Sequence, residues 1–285
     1  MNRMSLLREA FAILKRNPVL WSVALIGLSI DFVASWIFVL APPEAGILRS
    51  FLAFVLAAFT SGALISLTNA LIDQQSVTLV DGLLAGLRYV WRLLALNVIL
   101  FVPVWILIFF FSGSILTVFL SGLGQPGGIQ ATDVLSILPS LFGVAGLVVV
   151  MTLFMNLIGV GAERAIVLED EPIIPALKSG WQLLLGHARD YLSIGLMLLS
   201  VVTGLGLAFA FVLGPLLSSL AGGLSQSGDA ATPTPATLFS PANVIFLLIS
   251  LVVNSIFTVF ASSVWTLTYR KWQGKHFEDQ SGARS

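Results

Sequence analysis

There is no cysteine anywhere in the 285 residues, which excludes disulfides, thiolate metal ligands and cysteine nucleophiles. Histidine is almost as scarce: His187 and His276 stand alone, without a partner at metal-ligand spacing, and read as polar surface residues. Charge is sparse too. Fourteen basic and fourteen acidic residues cancel, so neither nucleic acid nor a strongly acidic partner is indicated. HExxH, a glycine-rich phosphate loop and GxSxG are all missing. No cofactor or metal site is indicated, and an enzyme is not expected.

Apolar residues are what the chain has in excess. They make up 57% of it and raise the mean hydropathy to +0.99, more than a water-soluble core of this size hides. A bilayer core takes about 20 apolar residues per helix. Six runs qualify, at 19–41, 48–72, 98–120, 138–161, 191–216 and 243–267. The expected fold class is an all-α membrane protein with six transmembrane helices. The first run is too long for the apolar part of a signal peptide and lies behind a charged amphipathic stretch, so it reads as an uncleaved span.

Lys and Arg set the orientation, because short basic loops stay in the cytoplasm. Arg3, Arg8, Lys15 and Arg16 precede the first span; Arg88 and Arg92 lie between spans two and three; Arg164, Lys178 and Arg189 lie between four and five. Arg270, Lys271, Lys275 and Arg284 follow the sixth, leaving Arg49 alone on the other side. Both termini are therefore expected in the cytoplasm and the protein in the plasma membrane. The outer connections, Pro42-Pro43-Glu44, Gly122 to Gly128 and Gly222 to Pro241, are Gly-, Pro- and Ser-rich and too poor in charge and aromatics to form an outer domain.

The basic side carries an internal repeat. Leu7-Arg8-Glu9-Ala10-Phe11, Leu87-Arg88-Tyr89-Val90-Trp91 and Leu177-Lys178-Ser179-Gly180-Trp181 each place a basic residue three positions before a large aromatic, at offsets of 80 and 90. Met4, Leu7, Phe11 and Leu14 correspond to Leu84, Leu87, Trp91 and Leu94 and to Ile174, Leu177, Trp181 and Leu184, one apolar helical face per copy. Asp81, Arg88 and Arg92, and Glu171, Lys178 and Gln182, are assigned to the opposite face. Such helices lie in the headgroup layer. Ser5, the pair Thr78 and Asp81, and Asp170-Glu171-Pro172 are the start signals. The chain thus reads as one membrane domain of three parallel repeats, 1–73, 74–161 and 162–270, each an amphipathic helix plus two spans, with a cytoplasmic tail at 271–285.

Little within the spans can carry chemistry. Asp31 lies about ten residues from either end of its span, where a carboxylate costs about 2.5 to 3.5 kcal/mol, so it faces the bundle or water. It reads either as a relay for protons or cations or as a structural acid bonded to Asn156 or Asn254. Pro103 and the glycines of span five are compatible with kinks, and Ala58 with Gly62 with close packing.

The stretch Ala162-Glu163-Arg164-Ala165-Ile166-Val167-Leu168-Glu169, with Pro175-Ala176-Leu177-Lys178-Ser179-Gly180-Trp181 and the closing Leu267-Thr268-Tyr269-Arg270-Lys271, resembles a bacterial six-span family. This is the family of the membrane domain of glycerophosphoryl diester phosphodiesterases and its stand-alone relatives. In that family the activity belongs to a separate soluble domain that nothing here matches, so the resemblance implies a membrane module without the enzyme. The expected role is membrane or envelope organisation, with Arg8, Phe11, Arg88, Trp91, Arg92, Lys178 and Trp181 meeting lipid headgroups or a protein partner. The alternative is a transporter, channel or permease subunit using Asp31, Asn156 and Asn254. Partners under these readings are membrane lipids, another membrane protein or a second copy of the chain.

Overall fold

A computed structural model describes residues 3–39, 45–123, 131–225 and 241–282, all of them helical apart from short turns. The three outer connections fall largely outside the described residues. Eight helices are described: α1 (Arg3–Arg16), α2 (Pro18–Val39), α3 (Ala45–Ile72), α4 (Leu79–Leu123), α5 (Ala131–Leu168), α6 (Ile173–Gly186), α7 (Ala188–Ser225) and α8 (Pro241–Gly282). Six contain a stretch long and apolar enough to cross a bilayer: Pro18–Ser35, Ala45–Ile72, Leu79–Ser112, Phe142–Leu168, Ala188–Ala208 and Leu247–Gly274. In hydrocarbon no water satisfies peptide groups, and an uninterrupted helix bonds its own. The chain is a helical, multi-pass membrane protein.

The helix ends explain the register. Pro18 begins α2, where its missing N–H costs nothing, and α1 stops two residues earlier. Two side chains close the exposed end of α1: Asn17 Nδ2 donates to Ile13 O at 2.8 Å and Trp21 Nε1 to Leu14 O at 2.8 Å. At the corresponding place in the third copy α6 ends at Gly186, and α7 starts beyond His187, whose carbonyl accepts from Tyr191 N at 2.9 Å. In the second copy that place is Asn97, with neither Pro nor Gly beside it, and α4 runs through without a break. At about 1.5 Å per residue its 45 residues extend about 68 Å, over twice a hydrocarbon core of about 30 Å. The amphipathic stretch before the third span is therefore the start of the same helix, not a separate surface helix.

Thr78 and Asp81 form the reciprocal cap at the start of α4. Thr78 N and Oγ1 donate to Asp81 Oδ2 at 2.8 and 2.7 Å, and Asp81 N donates to Thr78 Oγ1 at 3.3 Å. Ser5 is not a cap, because α1 already begins at Arg3. Pro172 precedes α6, and its carbonyl accepts from Ala176 N at 3.0 Å. The turns before α4 and α6 each pass through a left-handed residue, Gln74 (φ 57°) and Asp170 (φ 54°). At the first, Gln75 N reaches Ala70 O and Gln74 N reaches Leu71 O, the bond pair of a Schellman cap.

Burial repeats with the sequence. Leu6, Ala10 and Leu14 of α1, Gly86, Val90 and Leu94 of α4, and Ala176, Gly180 and Leu184 of α6 are all buried, and they stand at offsets of 80 and 90. The packed face is centred on this stripe. It takes only the Leu14, Leu94 and Leu184 edge of the apolar face assigned from sequence.

The helices gather into two compact units, residues 1–90 with 187–285 and residues 91–186. In the first, Leu14, Leu20, Val23, Ala24, Ala63, Leu64, Leu67 and Val259 make one core from α1, α2, α3 and α8. Small residues let these helices close up. A Cβ on Gly27 of α2 would strike Thr60 of α3, and one on Gly86 of α4 would come within 2.9 Å of Phe59 O. Ala58 and Gly62 are buried along the same face of α3. In the second unit α6 lies along α5, where a Cβ on Gly180 would stand 2.6 Å from Ile158 O and 2.8 Å from Ala162 N. Those neighbours are backbone and cannot rotate away. Gly180→Val is expected to force α6 off α5 and cost about 1 to 3 kcal/mol, read as a lower melting temperature in detergent. Gly274→Ala, with open space around it, is the control.

Candidate functional site

The sequence places a basic residue and an aromatic in each repeat, and the structure sets them on one stripe. Met4, Arg8 and Phe11 of α1, Leu84, Arg88 and Trp91 of α4, and Ile174, Lys178 and Trp181 of α6 follow i, i+4, i+7 spacing, and all nine are exposed. Arg88 and Lys178 were assigned to the opposite helical face; each instead stands between the exposed apolar residue and the aromatic ring. The rings are left open to different degrees: Phe11 is 57% exposed, Trp91 66% and Trp181 43%, the last because it meets Phe154 edge-on at 5.6 Å. Arg88 lies over the ring of Tyr89 at 5.2 Å.

Arg92 has a different role. Its Nη1 donates to Asp170 Oδ1 at 2.6 Å, tying α4 to the left-handed turn at the end of α5. That turn carries the acidic run 169–171, and Glu171 next to Asp170 accepts from Ser179 Oγ at 3.0 Å. In the other unit Lys271 Nζ donates to Glu9 Oε2 at 2.7 Å and Arg270 Nη1 to Asp73 Oδ1 at 2.7 Å, joining α8 to α1 and to the end of α3.

Asp31 and Asn254 belong to one unit and Asn156 to the other. Asn156 is exposed, and its Nδ2 donates back to Thr152 O of its own helix at 2.9 Å. Asp31 is half-buried on α2, and among the described residues no hydrogen bond or ion pair reaches its carboxylate. Asn254 lines a groove of about 210 Å³ with Val202, Leu205, Gly206, Ser250, Val253 and Phe257, between α7 and α8. The groove wall is otherwise almost wholly apolar.

Two features escaped the sequence reading. Arg164 is not in a loop: α5 continues to Leu168, and the guanidinium is only 4% exposed, with Nη1 donating to Val160 O at 2.7 Å and forming an ion pair with Glu163 Oε2 at 3.8 Å. The signal was the apolar Ala165-Ile166-Val167-Leu168 after the arginine. The second is an aromatic stack in the first unit. His187 lies on Trp272 at 4.8 Å, Tyr191 on Trp272 at 4.7 Å and Tyr191 beside Trp265 at 5.3 Å. His187 is therefore half-buried against a ring. The spacing was legible, since His187 and Tyr191 are four apart and Trp265 and Trp272 seven apart, one helical face each.

Across these helices the caps and the polar pairs run from α1 to Lys271 of α8, and one family match has nearly the same extent. It covers residues 1–272 and is described as a domain of unknown function, DUF7847. The chain belongs to the DUF7847 family. No curated protein and no solved structure matches the chain significantly.

Tyr191 is wholly buried at the centre of the aromatic stack. Tyr191→Ala is expected to cost about 3 to 5 kcal/mol of stability in detergent and to change the tryptophan fluorescence. A double-mutant cycle with Trp272→Ala should return a coupling of about 0.5 to 1.5 kcal/mol, the range for paired rings. A coupling near zero would show that the rings touch without supporting each other.

Proposed function

We propose that this DUF7847 protein is a non-enzymatic integral protein of the plasma membrane that organises the membrane or envelope through lipid or protein contacts of its cytoplasmic side. The observation that carries this reading is the exposed stripe of apolar residue, cation and aromatic at matching positions of all three copies. Soluble surfaces seldom leave rings of this size open; interfacial helices do so where the ring meets headgroups. In the same reading the six spans form three parallel repeats around an axis along the membrane normal, and both ends of the chain are cytoplasmic. Support comes from the coincident burial of the three copies and from the way each amphipathic stretch meets the end of a span: α1 packs on α8, the start of α4 on α3, and α6 on α5. The resemblance to the membrane domain of glycerophosphoryl diester phosphodiesterases fits a membrane module of this kind.

Asp31 favours one second reading, a transporter, channel or permease subunit. A half-buried carboxylate with no described partner at membrane depth suits a proton or cation path, and Asn254 adds a polar group to the α7–α8 groove of the same unit.

Native mass spectrometry of the protein extracted gently from its own membrane separates the two. Envelope organisation is expected to show defined lipids or a companion chain that survive dilution; a bare chain counts against it. Transport is expected to show as a flux in reconstituted vesicles that Asp31→Asn abolishes while melting temperature is unchanged. A structural acid leaves any flux intact and gives equal or higher stability in the Asn variant.

A further inference from the structure

We infer that the exposed stripes of α1 and α6 are binding sites for the phosphate-bearing headgroups of anionic phospholipids, one site on each helix; this rests on the proposed membrane-organising role and names its ligand. On α1 the stripe is Met4, Arg8, Phe11 and Lys15, and on α6 it is Ile174, Lys178, Trp181 and Leu185, every residue exposed. Each therefore offers apolar groups on both sides of a cation, the arrangement that buries side chains at the acyl boundary while holding positive charge at phosphate level.

Depth is fixed by the chain. α1 gives way to the first span at Pro18 and α6 to the fifth at Ala188, each after a single intervening residue, Asn17 or His187. A stripe ending so close to where a span enters the bilayer stands in the headgroup region. α4 lacks the break, so its stripe continues along the axis of its own span.

Charge points to an anion. Beside α1, Glu9 is engaged by Lys271 and Asp73 by Arg270, while Arg8, Lys15 and Arg16 face outward. Beside α6, Asp170 is engaged by Arg92 and Glu171 by Ser179, while Lys178 faces outward. Glu9, Asp73, Asp170 and Glu171 thus have partners within the protein, and Arg8, Lys15 and Lys178 stand on the same stripes as the rings. A phospholipid supplies both the anionic phosphate and the acyl surface; free phosphate supplies only the first.

The test uses the full chain in nanodiscs or detergent and follows phosphatidylglycerol and phosphatidylcholine by native mass spectrometry. Phosphatidylglycerol is expected to bind preferentially, Arg8→Gln and Lys178→Gln each to weaken one of the two sites about fivefold and leave the other, and the double variant to weaken both about fivefold. Arg49→Gln, on the far end of α3, should bind as the parent does. The charge-preserving pair Arg8→Lys and Lys178→Arg should restore binding, which guards against loss through misfolding. Equal retention of the two lipids, or an unaltered double variant, overturns the inference while leaving membrane organisation standing. Millimolar inorganic phosphate that displaces phosphatidylglycerol also overturns it, by assigning the sites to a free anion. Retention of no lipid and no companion chain overturns both readings.

Discussion

Every peptide group placed in hydrocarbon must be bonded inside its own helix, and this requirement governs where the chain can turn. The described turns are accordingly confined to the ends of apolar runs and are closed chemically. Asn17 and Trp21 cover the last carbonyls of α1, Thr78 and Asp81 cap α4, and Gln74 and Asp170 take left-handed conformations so that helix ends can fold back on themselves. A helix with no such device continues. Asn97 has the place of Asn17 and His187 but no proline or glycine beside it, and α4 passes through it unbroken.

Once the backbone is satisfied internally, what holds the helices together is close approach. Lipid tails are as apolar as leucine, so burying leucine gains little in a bilayer and contact area gains more. Gly27 against Thr60, Gly86 against Phe59 and Gly180 against Ile158 are places where neighbouring helices approach too closely for a Cβ. Polar contacts act at the rim. Lys271 with Glu9, Arg270 with Asp73 and Arg92 with Asp170 are all partly exposed pairs, worth about 1 kcal/mol or less each, and they fix which helix ends meet more than they hold them.

Span number and the helical class were legible because apolar length is a one-dimensional property. The matching burial of Leu6, Gly86 and Ala176 could be anticipated because scarce residues, a cation and an aromatic three apart, recur in the sequence at the same offsets. Which side of each amphipathic helix would pack was not legible, because Leu7 and Phe11 are as apolar as Leu6 and Ala10; only the neighbours α8, α3 and α5 decide. Arg92 shows the same limit. Its sequence context is that of Arg88, yet Asp170, 78 positions away, takes its guanidinium. Arg164 was misplaced for another reason: a charge was read as the end of a span, whereas the arginine returns its donor to its own helix at Val160 and the helix goes on.

The bond from Lys271 to Glu9 joins residues 262 positions apart. During synthesis α1 emerges before α8, the helix it packs on, with six described helices made between them. Until then α1 must wait with the face that packs on α8 uncovered. The membrane surface is the natural place to wait, since an amphipathic helix is stable there without a protein neighbour. Truncation within α8 would thus strand α1 as well, far from it in sequence.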